Sequence, residues 1–159
     1  SPDVGSVSRA RAFAQKLNMP LAIVDKRRQK ANSSEVMNII GDVKGKRVML
    51  IDDLIDTAGT LVHAANALVD KGGATEIYAC ATHGVLSGPA VDRLKNCGAR
   101  EVVLTDTVPI PEEKRWDGLT VLSIAPLLAS AIRAVFEDGS VAELFDTYPE
   151  HHGQGFLFA

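Results

Sequence analysis

Cysteine, aromatic residues and long apolar runs are all scarce in this sequence. Cys80 and Cys97 are the only two cysteines among 159 residues, which is too few for a disulfide scaffold. Cys80 falls in an apolar run, where a reduced and buried thiol is the usual occupant. No apolar segment approaches the roughly 20 residues needed to cross a bilayer. We therefore expect a soluble protein of a reducing, cytoplasmic compartment, with no membrane partner.

A strong excess of one charge is also missing. The net charge is −3 and the isoelectric point is near 5.8, whereas nucleic-acid-binding surfaces are strongly basic. We therefore expect no nucleic-acid partner. With 46% apolar residues, the chain is long enough for one well-buried domain and too short for two comfortable ones. It opens at Ser1 without an initiator methionine, so we expect a fragment of a longer protein.

Strand-like apolar runs alternate with helical stretches along the chain. This alternation predicts an α/β fold with a mainly parallel, twisted sheet flanked by helices. We expect one domain at residues 1–145 and a flexible tail at residues 146–159. The expected strands are at residues 21–24, 48–51, 77–81, 101–106 and 119–124, and the expected helices are at residues 7–17, 61–71, 89–96 and 125–136. Three of these helices have apolar residues at the spacing of one helical face, which predicts that this face packs on the sheet. The faces are Val7, Ala10, Phe13, Ala14 and Leu17; Leu61, Ala64, Ala65 and Leu68; and Leu128, Ala131, Ile132 and Val135.

The most informative stretch is residues 48–60, where an apolar run breaks into acids and then into small, hydroxylated residues. The apolar residues 48–51 predict a strand buried on both faces, as in the centre of a parallel sheet. Asp52 and Asp53 would then lie at the carboxyl end of that strand, where open α/β sheets bind ligands. Residues 57–60 offer backbone N–H groups, two hydroxyls and a glycine that permits close approach, immediately before a helix. Such a loop is typical of phosphate binding.

The acids and the loop together restrict the ligand. Acids would repel a bare phosphate, so the combination favours a ligand that carries both a phosphate and a cis-diol, such as a sugar phosphate. Carboxylates accept hydrogen bonds from vicinal hydroxyls and can help to hold a hydrated Mg²⁺. The alternative is an ordinary strand-to-helix turn with acids as helix caps. That alternative explains Asp56 or Thr57 but not the adjacent Asp52 and Asp53.

Several other positions leave alternatives open on the residues alone. Asp3 or Ser6 is placed to cap the helix expected at residues 7–17. The basic run at residues 25–30 is either a solvated loop or a mobile arm that closes over a polyphosphate. His83, at the end of a strand, either contacts a substrate or caps its loop.

The segment Asp-Asp-Leu-Ile-Asp-Thr-Ala-Gly-Thr at residues 52–60 resembles the ribose 5-phosphate loop of phosphoribosyltransferase-type folds, specifically that of the ribose-phosphate pyrophosphokinase family. The resemblance extends to about residue 145 and implies a type I phosphoribosyltransferase-like fold and the carboxyl-terminal half of such an enzyme. Other segments similar to the family, in the same order, are residues 1–5, 26–28, 35–41, 82–89 and 139–145.

The resemblance also implies an activity: Mg²⁺-dependent transfer of a diphosphoryl group from ATP to the anomeric hydroxyl of ribose 5-phosphate, giving 5-phosphoribosyl 1-pyrophosphate and AMP. It implies catalytic roles for Lys26 and Arg28, a metal-binding role for Asp3, and a regulatory site that includes Ser140 and Phe145. The residues implied to bind ribose 5-phosphate are Asp52, Asp53, Asp56, Thr57, Ala58, Gly59 and Thr60. The sequence departs from the family pattern at Ser6, Gln29 and Ala142, where many relatives have glycine, proline and serine.

The implied partners are ATP, ribose 5-phosphate, the amino-terminal half of the same enzyme, and further copies in a homo-oligomer, a hexamer by resemblance. Two rival functions remain open. A phosphoribosyltransferase would share the 52–60 loop and consume the activated sugar. The basic residues 26–28 and the segment at residues 35–41, which resembles the strand that follows the family's catalytic loop, argue against it. A non-catalytic regulatory homologue is the second rival. The presence of Lys26, Arg28, Asp52 and Asp53 counts against it, whereas Ser6 and Gln29 leave room for it.

Overall fold

The computed structural model describes residues 1–27 and 36–146. The chain forms two compact units, Ser1–Ser123 and Ile124–Ala159. The domain boundary expected at residue 145 stays a prediction. The expected tail lies outside the described residues beyond Asp146.

The first unit opens with a helix and a small antiparallel sheet that is separate from the main sheet. Asp25, Lys26 and Arg27, the first residues of the basic run, belong to the strand itself and do not follow it as a loop, which the sequence suggested. Residues 28–30 of the run lie outside the described residues. Pairing with the second strand of this sheet carries these polar residues into extended structure. The elements are α1 (Val7–Lys16), β1 (Ile23–Arg27) and β2 (Val36–Ile40).

The main sheet has four parallel strands in the order β3-β4-β5-β6, and helices α2 and α3 connect the first three of them. The predicted α/β fold with a parallel sheet flanked by helices is thereby confirmed. All four carboxyl ends meet at one edge, where a ligand site is expected. The bounds are β3 Arg47–Ile55, α2 Gly59–Asp70, β4 Glu76–Gly84, α3 Ala90–Asn96, β5 Ala99–Thr105 and β6 Leu119–Leu122.

Helix α2 packs its predicted face into the core of the first unit. Leu61, Ala64, Ala65 and Leu68 are all buried, at the i, i+3, i+4, i+7 spacing of one helical face. They join buried residues of β3, β4 and β5 in a single apolar cluster. This packing fixes the amino end of α2 beside the carboxyl edge of the sheet.

Helix α1 buries much less of its apolar face than the sequence predicted. Only Ala10 is buried, while the side chains of Phe13 and Leu17 are 48% and 53% exposed. Both line an open cavity of about 200 Å³. Near the amino end of α1, Arg9 contacts the acids of β3, as does Ser6 immediately before the helix.

The two cysteines are free thiols. Cys97 is buried, and Cys80 is only partly buried. Desolvation, with a smaller contribution from Glu101, raises the pKa of Cys80 to about 11, so its thiol keeps its proton at neutral pH. The sequence predicted a reduced and buried thiol at Cys80, whereas the structure leaves this residue only partly buried, and the reducing compartment stays a prediction.

The second unit contains α4 (Ala125–Phe136) and α5 (Glu143–Asp146). Helix α4 has the bounds that the sequence predicted. No residue of α4 is buried, however, so its predicted apolar stripe at Leu128, Ala131, Ile132 and Val135 does not form a core. Among the helices at residues 1–27 and 36–146, none combines the length and apolar character needed to cross a membrane.

Candidate functional site

Asp52 and Asp53 lie within β3 and not in a loop after it. The strand continues to Ile55 because its pairing with β4 persists beyond the apolar run, with Asp52 opposite Ala81 and Ile55 opposite Gly84. The predicted strand end at residue 51 is therefore wrong by four residues. The acids nevertheless lie in the last half of β3, close to the carboxyl edge of the sheet.

Helix α1 and the turn before it supply partners for both acids. The Ser6 hydroxyl donates a hydrogen bond to Asp52 Oδ1 at 3.0 Å. Arg9 Nη1 lies 3.5 Å from the same oxygen, and Arg9 Nη2 lies 2.8 Å from Asp53 Oδ2. The Asp52 side chain is only 15% exposed, whereas that of Asp53 is 59% exposed. One carboxylate is thus held in place and the other is open to solvent.

The two carboxyl groups differ in their affinity for protons. Burial raises the pKa of Asp52, although hydrogen bonds from the Asp53 amide and the Ser6 hydroxyl oppose that shift. A hydrogen bond with Asp52 and the nearby Arg9 charge lower the pKa of Asp53. Since the groups interact, they titrate as a pair. When the pair takes up a proton, Asp52 is the favoured holder and Asp53 stays ionised.

Asp3 forms the turn that leads into α1. Its Oδ1 accepts a hydrogen bond from the Ser6 N–H at 2.8 Å, and its carbonyl accepts one from the Ser1 hydroxyl at 2.5 Å. The bond to the Ser6 N–H closes the turn before α1, whereas no side chain makes a capping hydrogen bond at the amino end of α1 itself among the described residues. A carboxylate has about four acceptor positions, so the amide bond leaves capacity for a hydrated cation. The described residues contain no group of three or more acidic, histidine or cysteine ligands, so a caged metal site is absent from that part of the chain.

The loop between β3 and α2 has an unusual backbone at Ala58. Its φ of +61° and ψ of +8° are left-handed, a conformation that only a few per cent of residues other than glycine adopt. Helix α2 begins at the next residue, Gly59, and no side chain caps its amino end. A Cβ placed on Gly59 would lie 3.7 Å from Arg93 Nη1, an ordinary contact. The strained backbone of this loop is therefore at Ala58, and a side chain at Gly59 would meet no close contact within the protein. The close approach of a ligand to Gly59 stays a prediction.

His83 lies inside β4, near its end, and not in the following loop. Its Nδ1 is 2.8 Å from Thr107 Oγ1, and the Thr107 hydroxyl donates to the Thr82 carbonyl at 2.9 Å. These contacts tie the ends of β4 and β5 together. They give His83 a partner within the protein, and its contact with a substrate stays a prediction.

The remaining predicted residues are only partly placed by the structure. Lys26 lies in β1 opposite Met37, and its side chain is outside the described part, as is the whole of Arg28. Ser140 is exposed between α4 and α5, and Phe145 lies in α5, whose side chain at that position is outside the described part. The catalytic and regulatory roles implied for these residues stay predictions.

Sequence reasoning missed two arginines and one hydrogen bond at this site. Arg9 binds both acids, Arg93 donates to the Thr57 carbonyl at 3.0 Å, and Ser6 holds Asp52. Each contact joins residues at least 36 positions apart in the chain. The only local signal was an arginine three residues after Ser6, on the same face of α1.

The parallel sheet and its flanking helices define an α/β domain. Its carboxyl edge carries an acid pair, followed by a loop at a helix start, and this is the candidate ligand site. The model of the phosphoribosyl synthetase-associated domain matches residues 30–146. The chain belongs to this family.

Two curated relatives and one solved structure support the assignment. The chain is 70% identical over 162 residues to a ribose-phosphate pyrophosphokinase of Bifidobacterium longum (strain NCC 2705), covering 100% of this chain and 47% of the relative. It is 68% identical over 145 residues to the enzyme of that name from Caldanaerobacter subterraneus subsp. tengcongensis, covering 91% and 46%. The crystal structure of phosphoribosylpyrophosphate synthetase from Mycobacterium smegmatis matches with a TM-score of 0.77 and 53% identity, covering 87% of this chain and 44% of that one. The chain thus spans about half the length of the curated relatives it matches.

Proposed function

We propose that this chain is part of an enzyme that transfers a diphosphoryl group from ATP to the anomeric hydroxyl of ribose 5-phosphate, giving 5-phosphoribosyl 1-pyrophosphate and AMP. The observation that carries the proposal is the continuity of the acid pair with the loop at the start of α2, at the carboxyl edge of the sheet. The names of relatives that are 70% and 68% identical support the same reaction.

Ribose 5-phosphate would bind across this edge in one orientation. Asp52 and Asp53 would accept hydrogen bonds from the vicinal hydroxyls, with Asp56 beside them. The amides and hydroxyls of Thr57, Ala58, Gly59 and Thr60 would bind the 5-phosphate at the amino end of α2, where the helix dipole favours an anion.

Arg9 supports this arrangement from α1. Its ion pairs keep the exposed Asp53 ionised and oriented, since the contact at 2.8 Å lowers the pKa of that carboxyl together with the hydrogen bond to Asp52. A carboxylate accepts up to two hydrogen bonds at each oxygen, so the acid pair can hold Arg9 and a diol at the same time. The diol would approach from the solvent side of Asp53.

Basic residues of β1 and of the segment after it would stabilise the negative charge of the polyphosphate. Lys26 and Arg28 would contact the polyphosphate as charge moves between the phosphates, which makes the reaction one of positioning and electrostatic stabilisation. Asp3, whose carboxylate has acceptor capacity beyond its bond to the Ser6 amide, would hold Mg²⁺ through water. When bound, Mg²⁺ would supply positive charge that neutralises the polyphosphate.

The finer features of the proposal concern the whole protein. The amino-terminal half of the enzyme would supply much of the ATP site, and copies would assemble into a homo-oligomer, a hexamer by resemblance to the family. Synthesis in the cytoplasm and control through Ser140 and Phe145 complete the proposal.

A direct assay tests it. The full-length protein, given ATP, Mg²⁺ and ribose 5-phosphate, should release AMP in equal amounts with 5-phosphoribosyl 1-pyrophosphate, and omission of ribose 5-phosphate should abolish both. Binding of ribose 5-phosphate without any AMP release would instead indicate the non-catalytic regulatory homologue. Turnover only with the preformed activated sugar and a base would indicate a phosphoribosyltransferase.

A further inference from the structure

The carbonyls of the loop between β3 and α2 all accept hydrogen bonds from the protein. Backbone N–H groups hold three of the four consecutive carbonyls at residues 55–58. The fourth belongs to Thr57, and the Nη1 of Arg93 in α3 donates to it at 3.0 Å. Among the residues that the structure describes, Arg93 is thus the only one whose side chain holds this row. The backbone pairs are Val85 N–H to Ile55 O, Ser87 N–H to Asp56 O and Val62 N–H to Ala58 O, each at 3.0 Å.

The position of the Thr57 carbonyl decides where the next amide points. In a trans peptide the C=O and the N–H of one plane point in opposite directions. By holding the Thr57 carbonyl, Arg93 turns the Ala58 N–H away from α3. Ala58 is also the residue in the left-handed conformation, which persists only where neighbours hold it. The contact therefore fixes the least favourable peptide of the loop.

The Arg93 guanidinium is not engaged by an acidic side chain of the described residues. Arg93 is exposed, and among the described residues no carboxylate forms an ion pair with it. It lies against the uncapped start of α2, since a Cβ on Gly59 would be 3.7 Å from Nη1. A positive group at this end of a helix is unfavourable for the helix itself. Its position is favourable when an anion binds there.

We propose that Arg93 is a positioning residue of the phosphate-binding loop, which orients the Thr57–Ala58 peptide so that the Ala58 N–H meets the 5-phosphate of the sugar. The inference rests on the proposed function. It assigns Arg93 to the affinity for ribose 5-phosphate and not to the chemical step, because the loop binds the phosphate that does not react.

Two variants of Arg93 and one control test the inference in the full-length protein. Arg93→Met keeps most of the apolar stem and removes every donor, while Arg93→Lys keeps a charged donor. Lys95→Ala is the control, an exposed cation two residues along the same helix. Titration calorimetry with ribose 5-phosphate should show about tenfold weaker binding for Arg93→Met, the size expected for a lost hydrogen bond from a charged donor. Arg93→Lys should recover part of the loss, and Lys95→Ala should bind like the unmodified protein.

Kinetics separates positioning from a general structural role. Arg93→Met should raise KM for ribose 5-phosphate about tenfold and change kcat by less than about threefold, with an unchanged Tm. Equal affinity in Arg93→Met and the unmodified protein would overturn the inference, and so would a fall in kcat at constant KM. If the unmodified protein itself does not bind ribose 5-phosphate, the proposed function fails first. Should Arg93→Met not fold, Arg93→Lys decides: an affinity below that of Lys95→Ala supports the role, and equal affinity overturns it.

Discussion

The Ser6 hydroxyl donates a hydrogen bond to Asp52 Oδ1 at 3.0 Å and so joins two segments that are 46 residues apart in the sequence. Glycine, which the family resemblance implies for many relatives at this position, has no side chain to make the bond. Ser6 is buried, so the bond is partly shielded from water. Ser6 therefore adds a partner for an acid of the candidate site.

Replacing Ser6 with Ala should change the titration of Asp52. Burial raises the pKa of Asp52 and the Ser6 bond opposes the rise, so Ser6→Ala should raise that pKa further. The folded state already binds this proton more strongly than the unfolded state. The contribution of Asp52 to stability therefore falls as pH rises from the unfolded pKa through the folded pKa. Ligand binding that needs the carboxylate should be lost on acidification at a higher pH in Ser6→Ala.

Carboxyl ¹³C chemical shifts followed against pH measure this change directly. Ser8→Ala, an exposed serine in α1, is the matched control and should leave the titration of Asp52 unchanged. An Asp52 titration in Ser6→Ala identical to that of the unmodified protein would mean that the bond at 3.0 Å has no electrostatic effect.

The acid pair itself should control the affinity for the sugar. In the full-length enzyme, replacing Asp52 and Asp53 together with Ala should raise KM for ribose 5-phosphate or abolish turnover, because the diol loses its acceptors. Asp117→Ala, at an exposed position, serves as the control. Steady-state kinetics with unchanged constants in the double variant would exclude the acids from the sugar site.

Lys26 should act mainly in the transition state. Lys26→Ala should lower kcat by on the order of 10²-fold or more with a modest change in KM, as for other preorganised charge donors. Lys71→Ala removes an exposed lysine after α2 and should leave kcat unchanged. A Lys26→Ala variant with altered KM and normal kcat would make Lys26 a ground-state binder.

Substitution of two glycines by alanine should destabilise the fold for different reasons, one through a steric clash and the other through backbone strain. A Cβ at Gly72 would lie 2.6 Å from both the Leu68 carbonyl and Val43 Cγ2, so Gly72→Ala should destabilise the fold by about 1–3 kcal/mol. At Gly45 no atom of the described residues lies within 4 Å of the added Cβ, but the φ of +71° is left-handed, so Gly45→Ala should cost about 1–2 kcal/mol. Urea unfolding measures both. Equal stability of Gly72→Ala and the unmodified protein would show that the turn after α2 yields without cost.

The sequence predicted those features that depend on neighbouring residues. The buried face of α2 follows from a four-residue pattern, and the bounds of α4 follow from its local composition. Features set by distant partners were not predictable. The extension of β3 through Asp52 and Asp53 depends on pairing with β4, and the roles of Arg9 and Arg93 depend on contacts 43 and 36 residues away. The exposure of Phe13 depends on what covers α1, which a helical pattern cannot indicate.

The isolated chain should hold the sugar phosphate and yet make no product. The acids of β3 and the loop at the start of α2 are contiguous, and their partners Ser6, Arg9 and Arg93 all lie in the first unit, so this half of the site needs no other chain. A nucleotide pocket needs apolar walls around the base and a few placed polar groups, and the sequence has no aromatic cluster beside its basic run. Calorimetry on the isolated chain should therefore show weak binding of ribose 5-phosphate, which the Asp52 and Asp53 double variant abolishes. A coupled assay on the same sample should detect no AMP. AMP release that depends strictly on ribose 5-phosphate, from chain free of full-length enzyme, would place the nucleotide site within these 159 residues.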